Sequence, residues 1–221
     1  MLAHGFHGNG RDALQPSLRL VEEISHRVVN EYAEAIATLS MAAGRAEGPA
    51  QDALRAAADR LHDHADAHRS LLPPAGATTV SLTDHIGAIC SAHTRANLAD
   101  RNIRLILKAD DVCVPADYGW RIGLIIAELI RNASRHRAKN TPGLIEVRIA
   151  GAGDHILCLV SDSGRSEPGS APGRELRLIS SLAAELGGVV RWSSTQRGKF
   201  AIAQFPAQDM RAARATATVS S

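Results

Sequence analysis

Residues 23–40 read EISHRVVNEYAEAIATLS, and residues 128–136 read ELIRNASRH. In the first stretch, apolar residues recur at spacings typical of an amphipathic helix, and His26 falls on its polar side. The second stretch places a carboxylate, an amide and two basic side chains on one helix. The order of the two stretches indicates a helical unit that presents a histidine, followed by an α/β unit that binds a polar ligand.

The composition is that of a soluble globular protein, with 45% hydrophobic and 22% charged residues. The formal net charge of +2 gives no large attraction to nucleic acid or to membranes, so we expect no nucleic-acid partner. No run approaches the roughly 18 apolar residues that span a bilayer, and the first residues lack an apolar signal segment. We therefore expect a cytoplasmic protein without a membrane span. Cys90, Cys113 and Cys158 lie in apolar runs, which predicts buried, reduced thiols.

The first part of the chain has the pattern of an antiparallel helical hairpin. Helical periodicity runs over residues 14–43 and again over residues 51–72, and the connection between them, GRAEGP, is rich in helix breakers. A hairpin of this kind has one apolar stripe to cover. We expect two copies to form a four-helix bundle, so that the protein is a homodimer. Packing of the stripe against the second half of the same chain is the alternative.

The pattern changes at residue 78, where helices and short alternating strands begin to mix. Helices are predicted at 82–100, 117–137 and 175–186, and strands at 103–107, 144–149, 155–160, 189–193 and 200–205. This order predicts an α+β fold in which an antiparallel or mixed sheet carries helices on one face.

Four segments follow from these patterns. Residues 1–12 are predicted to be a flexible N-terminus, and residues 13–75 form the helical-hairpin dimerisation unit. Residues 78–206 form the α/β sandwich, and residues 207–221 form a flexible tail.

His26 is predicted to be exposed, because a helix turns about 100° per residue and His26 lies roughly 130° from the apolar stripe. Glu22, Glu23 and Asn30 surround it on the same polar face. A nearby carboxylate can orient an imidazole by accepting its N–H, which leaves the other ring nitrogen free for nucleophilic attack. The alternative interpretation is an ordinary solvated helix face.

Glu128, Asn132 and His136 follow one another at a spacing of four, so they share one face of their helix. A polar stripe on an otherwise apolar helix costs stability unless it meets a polar partner. A triphosphate with Mg²⁺ is such a partner, because an amide oxygen can complete octahedral coordination. An ordinary amphipathic helix edge is the alternative.

A third polar cluster follows the predicted strand at 155–160. Asp162 at the strand end can accept a hydrogen bond from the exocyclic amine of adenine, and Gly164 lets the backbone approach the ring. Gly173 stands just before the next helix, where backbone N–H groups can meet phosphate.

EISHRVVN resembles the H-R-V-x-N phosphoacceptor motif of bacterial two-component sensor histidine kinases, with Val29 in place of the usual lysine. The resemblance implies that His26 is the phosphorylated residue, that Glu22 or Glu23 is its polarising neighbour, and that Asn30 belongs to the same catalytic group. The second half resembles the ATP-binding domain of these kinases. The residues that the resemblance implies for ATP binding are Glu128, Asn132, Arg135, His136, Asp162, Gly164 and Gly173, with Asn132 also at the Mg²⁺.

Two positions depart from the pattern of the family. Ser166 stands where the first glycine-rich box usually has its last glycine, and Glu175 stands where the second box usually has a glycine. A carboxylate about 4 Å from a phosphate would be repelled by roughly 4 kcal/mol near a protein surface.

The resemblance implies a histidine kinase that phosphorylates His26 from ATP and passes the phosphoryl group to an aspartate of a response-regulator receiver domain. The alternative is an ATP-independent dimeric histidine phosphotransferase, which Ser166 and Glu175 favour. A regulator-binding protein without chemistry, and a serine kinase or ATPase, are further classes; His26 in its motif argues against the latter. No sensor pattern precedes the hairpin, so we expect a partner to supply the input signal.

Overall fold

A computed structural model describes residues 15–74, 76–135, 142–164, 174–195 and 198–207. The predicted flexible segment 1–12 lies outside the described residues, as does the predicted tail from residue 208 onwards. The chain divides into two compact units, Met1–Leu72 and Pro73–Ser221. None of the helices in the described part has the length and apolar character needed to cross a bilayer.

The first unit is a helical hairpin made of α1 (Gln15–Arg45) and α2 (Pro49–Arg69). Pro49 begins α2, where its missing N–H is no loss because the first helical N–H groups have no partner within the helix. The side chain of Gln51 donates a hydrogen bond to the carbonyl oxygen of Ala43 at 3.0 Å, which holds the two helices together near the turn.

The helices also meet through aromatic rings. Tyr32 of α1 and His68 of α2 have ring centroids 5.5 Å apart. Burial, with a smaller contribution from nearby His64, lowers the pKa of His68. The predicted apolar faces therefore do pack on each other, but incompletely. Val28, Ile36 and Leu39 stay half-buried, and from residue 23 onwards, where burial is described, the buried residues of the hairpin are all alanines: Ala43, Ala58, Ala65 and Ala67.

The second unit is an α/β sandwich. Its helices are α3 (Leu82–His93), α4 (Ala116–Arg135) and α5 (Arg174–Glu185). Its main strands are β2 (Ile103–Ala109), β4 (Gly143–Ala152), β5 (His155–Asp162), β6 (Val189–Thr195) and β7 (Gly198–Pro206). These form a five-stranded sheet in the order β2-β4-β5-β7-β6. Only the β2–β4 pair is parallel, with α4 as its crossover, so the sheet is mixed. The predicted α+β fold class is confirmed.

The core of this unit lies between the sheet and its helices. Strand residues alternate in burial, and the inward row of β5 is entirely buried, with Ile156 and Cys158 at 0% exposure and Val160 at 3%. Facing them, α4 contributes Ile125, Ile126 and Ile130, all at 0%. The hydroxyl of Tyr118, near the start of α4, donates a hydrogen bond to the carbonyl oxygen of Pro206 at 2.8 Å, which fixes the helix to the end of β7.

Two short strands are missing from the sequence prediction. β1 (Thr79–Ser81) and β3 (Cys113–Pro115) pair antiparallel as a small separate sheet. It lies against Gly119 of α4, where a Cβ atom would come within 2.7 Å of Val80 Cγ2 and 2.9 Å of Val114 Cγ2. Three-residue strands have too little alternation to be recognised from sequence.

In this region one prediction holds for the extent of a helix but not for its type, and a second prediction was wrong. The helix predicted over 82–100 ends as an α-helix at His93, continues as a π-helical segment Thr94–Leu98 and closes with a 3-10 turn Ala99–Arg101. Asn102 then turns the chain with φ 55°, a left-handed conformation that asparagine tolerates better than most residues. Cys113 was predicted to be buried but is exposed, because strand alternation buries its neighbour Val114 instead.

Candidate functional site

His26 lies on the exposed face of α1, as predicted. Glu23 and Arg27, on either side of it, form an ion pair with 3.5 Å between Arg27 Nη2 and Glu23 Oε1, and both side chains are more than two-thirds exposed. Asn30, one turn further on, is also exposed. Glu22 belongs to the backbone of α1, but its side chain is not among those that the structure describes.

This arrangement leaves the His26 imidazole accessible to a reactant that approaches from solvent. The carboxylate of Glu23 shares its charge with Arg27 rather than standing alone. Because the whole cluster is exposed, its ion pair contributes little to stability, typically below about 1 kcal/mol. The polar face around His26 is therefore available for chemistry or for binding without loss of the fold.

Asn132 is the most unusual polar residue of the second unit. It is 9% exposed, and neither its Oδ1 nor its Nδ2 has a hydrogen-bond partner among the residues that the structure describes. Most buried polar side-chain atoms in proteins are satisfied, and leaving one unpaired costs roughly 1–3 kcal/mol. An amide in this state suits a polar ligand with both donor and acceptor groups. Such a ligand has to displace the groups that now screen the two atoms from water.

Glu128 lies one turn before Asn132 on the same face of α4. Its side chain is 19% exposed and accepts a hydrogen bond from Arg131, whose side chain is 55% exposed. Arg135, the last residue of α4, is exposed, whereas His136 lies outside the described residues. The polar stripe predicted on α4 is therefore present from Glu128 to Asn132, on a helix that is otherwise largely buried.

Asp162 ends β5, and its carboxylate is held by the following turn. The backbone N–H of Gly164 donates to Asp162 Oδ1 at 2.6 Å. Ser163 exchanges hydrogen bonds with Leu144 of β4, through its own N–H at 3.0 Å and through its hydroxyl at 3.1 Å. Asp162 is thus fixed at the end of the sheet where β4 begins. Gly173 and Ser166 lie outside the described residues, and so does the side chain of Glu175.

The structure brings Asn132 and Asp162 to the same end of the α/β unit. α4 packs on β5, and its C-terminal end leads through a short connection into β4, whose first residues are hydrogen bonded beside Asp162. The amide of Asn132, a candidate metal ligand, and the carboxylate of Asp162, a candidate hydrogen-bond acceptor for a nucleotide base, therefore lie at one end of the sandwich. His26 belongs to the other unit.

Sequence reasoning missed two residues at this end, Gly198 and Lys199. Gly198 begins β7 with φ +146°, and a Cβ atom there would lie 1.8 Å from the carbonyl oxygen of Asp162. Lys199 is the direct cross-strand partner of Asp162. In the sequence both residues belong to the run TQRGK, which predicts a turn. Their position beside Asp162 depends on the pairing of β7 with β5, which are distant in the chain.

Comparison with known proteins gives a consistent result. Residues 23–97 match the HisKA_2 family model, described as histidine kinase, and this segment contains His26. Blue-light-activated histidine kinase 2 of Erythrobacter litoralis (strain HTCC2594) is 27% identical over 187 residues, which cover 76% of this chain and 52% of that protein. The chain thus spans about half the length of the curated relative it matches.

Among solved structures, the histidine kinase domain of the blue-light activated histidine kinase from Erythrobacter litoralis EL346 is 21% identical. It aligns with a TM-score of 0.57 over 81% of this chain and 98% of that one. A structure described as a bacterial phosphotransferase is 14% identical and aligns with a TM-score of 0.59 over 85% of this chain and 95% of that one. At these identities the likeness establishes the fold. The family match over residues 23–97, the relative and the solved kinase domain agree, so this chain is similar to bacterial histidine kinases.

Proposed function

We propose that this chain is an ATP-dependent protein histidine kinase of a two-component system, phosphorylated on His26. The observation that carries the proposal is the position of His26, which is exposed on α1 inside the segment that matches the histidine kinase family. The phosphoryl group then passes to an aspartate of a response-regulator receiver domain.

At His26, the unprotonated ring nitrogen attacks the γ-phosphorus of ATP. A P–N bond forms as the bond from the γ-phosphorus to the bridging oxygen breaks, and ADP leaves. Glu22 or Glu23 accepts the N–H of the other ring nitrogen and so holds the ring in a reactive orientation. Asn30 completes the polar face around the ring. In the second step a carboxylate oxygen of the receiver aspartate attacks the same phosphorus, and the imidazole is released.

The nucleotide is assigned to the end of the α/β unit that holds Asn132 and Asp162. The unsatisfied amide of Asn132 fits a Mg²⁺ ligand, since its oxygen is buried without a partner among the described residues. When bound, Mg²⁺ would neutralise charge on the phosphate oxygens. Asp162 accepts a hydrogen bond from the adenine amine. The remaining proposed contacts come from Glu128, Arg135 and His136 of the α4 region and from the backbone at Gly164 and Gly173.

We assign residues 13–75 to dimerisation and histidine phosphotransfer, and residues 78–206 to ATP binding. The half-buried stripe of the hairpin supports a homodimer, because Val28, Ile36 and Leu39 keep apolar surface that a second hairpin would cover. Ile24, which is 52% exposed, lies at the flank of this stripe and would gain cover in the same bundle.

The test is incubation of the purified protein with γ-labelled ATP and Mg²⁺. We expect acid-labile, base-stable label on the native protein and none on His26→Ala. His62→Ala is the matched control, because His62 is also largely exposed and lies on the other helix of the hairpin. Label that persists in His26→Ala, or that is lost equally in His62→Ala, would contradict the assignment of His26.

A second candidate is an ATP-independent dimeric histidine phosphotransferase that exchanges phosphoryl groups between response regulators. Glu175 favours it, because a carboxylate there would repel phosphate. The two candidates separate when the native protein is offered a phosphorylated receiver domain without ATP. Transfer to His26 from the receiver, together with absence of labelling by ATP, would support the second candidate.

A further inference from the structure

The start of β7 is held unusually close to the end of β5. The Cβ atom that any other residue would add at Gly198 would lie 1.8 Å from the carbonyl oxygen and 3.0 Å from the carbonyl carbon of Asp162. The φ of +146° at Gly198 is also one that L-residues with side chains avoid. The hydroxyl of Thr195 donates a hydrogen bond to the carbonyl oxygen of Gly198 at 3.0 Å, which ties the end of β6 to the start of β7. The register between these two strand ends is therefore fixed.

This register sets Lys199 directly opposite Asp162. Directly opposed residues of antiparallel strands have Cβ atoms about 4.5–5.5 Å apart and project to the same face. For this pair the face is the inward one. On β5 the alternate residues that share a face with Asp162 are buried. On β7 the alternate residues that share a face with Lys199 are 5% exposed or less: Ala201, Ala203 and Phe205. Both side chains thus project to the side on which α4 packs and are themselves half-buried.

Together the two side chains offer one acceptor and one donor to a planar ligand. A carboxylate only accepts hydrogen bonds and an ammonium only donates them. The edge of adenine presents an amine donor at N6 beside an acceptor at N1, and guanine presents the reverse, an acceptor at O6 beside a donor at N1. Adenine with N6 toward Asp162 and N1 toward Lys199 satisfies both side chains. Guanine in the same position would place its O6 acceptor against the Asp162 carboxylate and its N1 donor against the Lys199 ammonium. Neither contact can form a hydrogen bond, and unpaired buried polar groups are costly.

We propose that Lys199 is a specificity-determining residue that, with Asp162, selects adenine over guanine nucleotides. The inference rests on the proposed function, because it places the base of the nucleotide at Asp162. Gly198 contributes by allowing the strand approach that brings Lys199 into register.

The experiment is isothermal titration calorimetry with Mg²⁺ and the non-hydrolysable imido analogues of ATP and GTP. We expect the native protein to prefer the adenine analogue and Lys199→Met to lower that preference about tenfold, as the loss of one base contact predicts. Lys199→Arg keeps a donor and should retain most of the preference. Lys108→Met is the matched control, because Lys108 of β2 is paired with Glu146 of β4 and not with Asp162. Thermal unfolding of each variant checks that the fold is intact.

An unchanged preference in Lys199→Met, or equal weakening of both nucleotides, would overturn the inference and leave the proposed kinase intact. Equal weakening would mean that Lys199 acts only through its charge on the phosphates. If the native protein binds neither nucleotide, the ATP-dependent function and the inference fall together.

Discussion

The two units of this chain solve the problem of burying apolar surface differently. In the α/β unit, large side chains such as Phe205, Leu82 and Ile126 are completely buried. In the part of the hairpin whose side chains are described, from residue 23 onwards, only alanines are buried, and Val28, Ile36 and Leu39 remain half-exposed. The difference teaches that large apolar side chains build the core of the α/β unit, whereas the described part of the hairpin buries only small ones, as the proposed second hairpin would require.

The polar residues show the opposite contrast. The reactive candidate of the hairpin, His26, is exposed among charged neighbours. The main candidate of the α/β unit, Asn132, is buried with its amide unsatisfied. An exposed nucleophile costs its unit little stability, whereas a buried, unpaired amide costs more. The larger cost in folding stability, that of the unpaired Asn132 amide, therefore falls on the α/β unit, which has the larger core.

The largest effect is expected from removing core volume in the α/β unit. Phe205 is fully buried, so Phe205→Ala should lower the free energy of unfolding by about 3–5 kcal/mol. Leu39→Ala in the half-buried stripe should cost only about 1 kcal/mol. Both tryptophans, Trp120 and Trp192, belong to the α/β unit, so their fluorescence in urea reports on that unit, and circular dichroism reports on the helices. Similar losses for both variants would break the comparison between the units.

The proposed second hairpin predicts the next largest effect. Ile36→Glu places a charge in the apolar stripe and should convert a dimer into a monomer in size-exclusion chromatography with light scattering. Met41→Glu is the control, because Met41 is 59% exposed and lies on the opposite side of α1 from the stripe. A native protein that is monomeric at high concentration, or an Ile36→Glu variant that stays dimeric with normal helix content, would refute the bundle.

Asn132 predicts a trade between stability and ligand binding. Asn132→Leu removes two buried polar atoms that have no partner in the described part of the chain, so it should stabilise the unliganded protein by about 1–2 kcal/mol. The same change should abolish Mg²⁺-dependent binding of the ATP analogue. Urea unfolding and calorimetry measure the two effects. A destabilised variant would mean that the amide is satisfied after all.

The smallest effect is expected from His85 of α3. Burial lowers the pKa of its imidazole below the ordinary 6.5, and its Nε2 has no partner among the described residues. Because protonation is harder in the folded state, the unfolded state takes up more protons as the pH falls below 6.5. Stability of the α/β unit should therefore be complete above that pH and decline below it, and His85→Leu should flatten the decline. His155→Gln, an exposed control at the start of β5, should not.

The parts of this molecule that were predictable from sequence depend on local patterns. The apolar spacing of residues 14–43 predicted α1 and the exposure of His26, and the buried run around Ile125 predicted α4 with its polar stripe. The fold class followed from the order of these elements. Each of these conclusions requires only residues that are close in sequence.

The rest depends on contacts between distant residues. The β1–β3 ladder pairs Val80 with Val114, which are separated in the chain by helix α3 and strand β2. Strands of three residues are too short to show an alternating apolar pattern in the sequence. The pairing of Asp162 with Lys199 depends on how closely Gly198 can approach another strand. The π-helical segment after His93 has the composition of an ordinary helix, so nothing in its sequence announces the change of pitch.

The single outward cysteine gives the chain a built-in handle for spectroscopy. Burial raises the pKa of Cys90 and of Cys158 to about 12, so both thiols stay protonated and unreactive at neutral pH. Cys113 is exposed, and a maleimide dye should attach there first. Native protein labelled in this way carries its fluorophore in the α/β unit. With a second dye on a cysteine introduced into the hairpin, energy transfer would report changes in the separation of the two units without removal of the native cysteines.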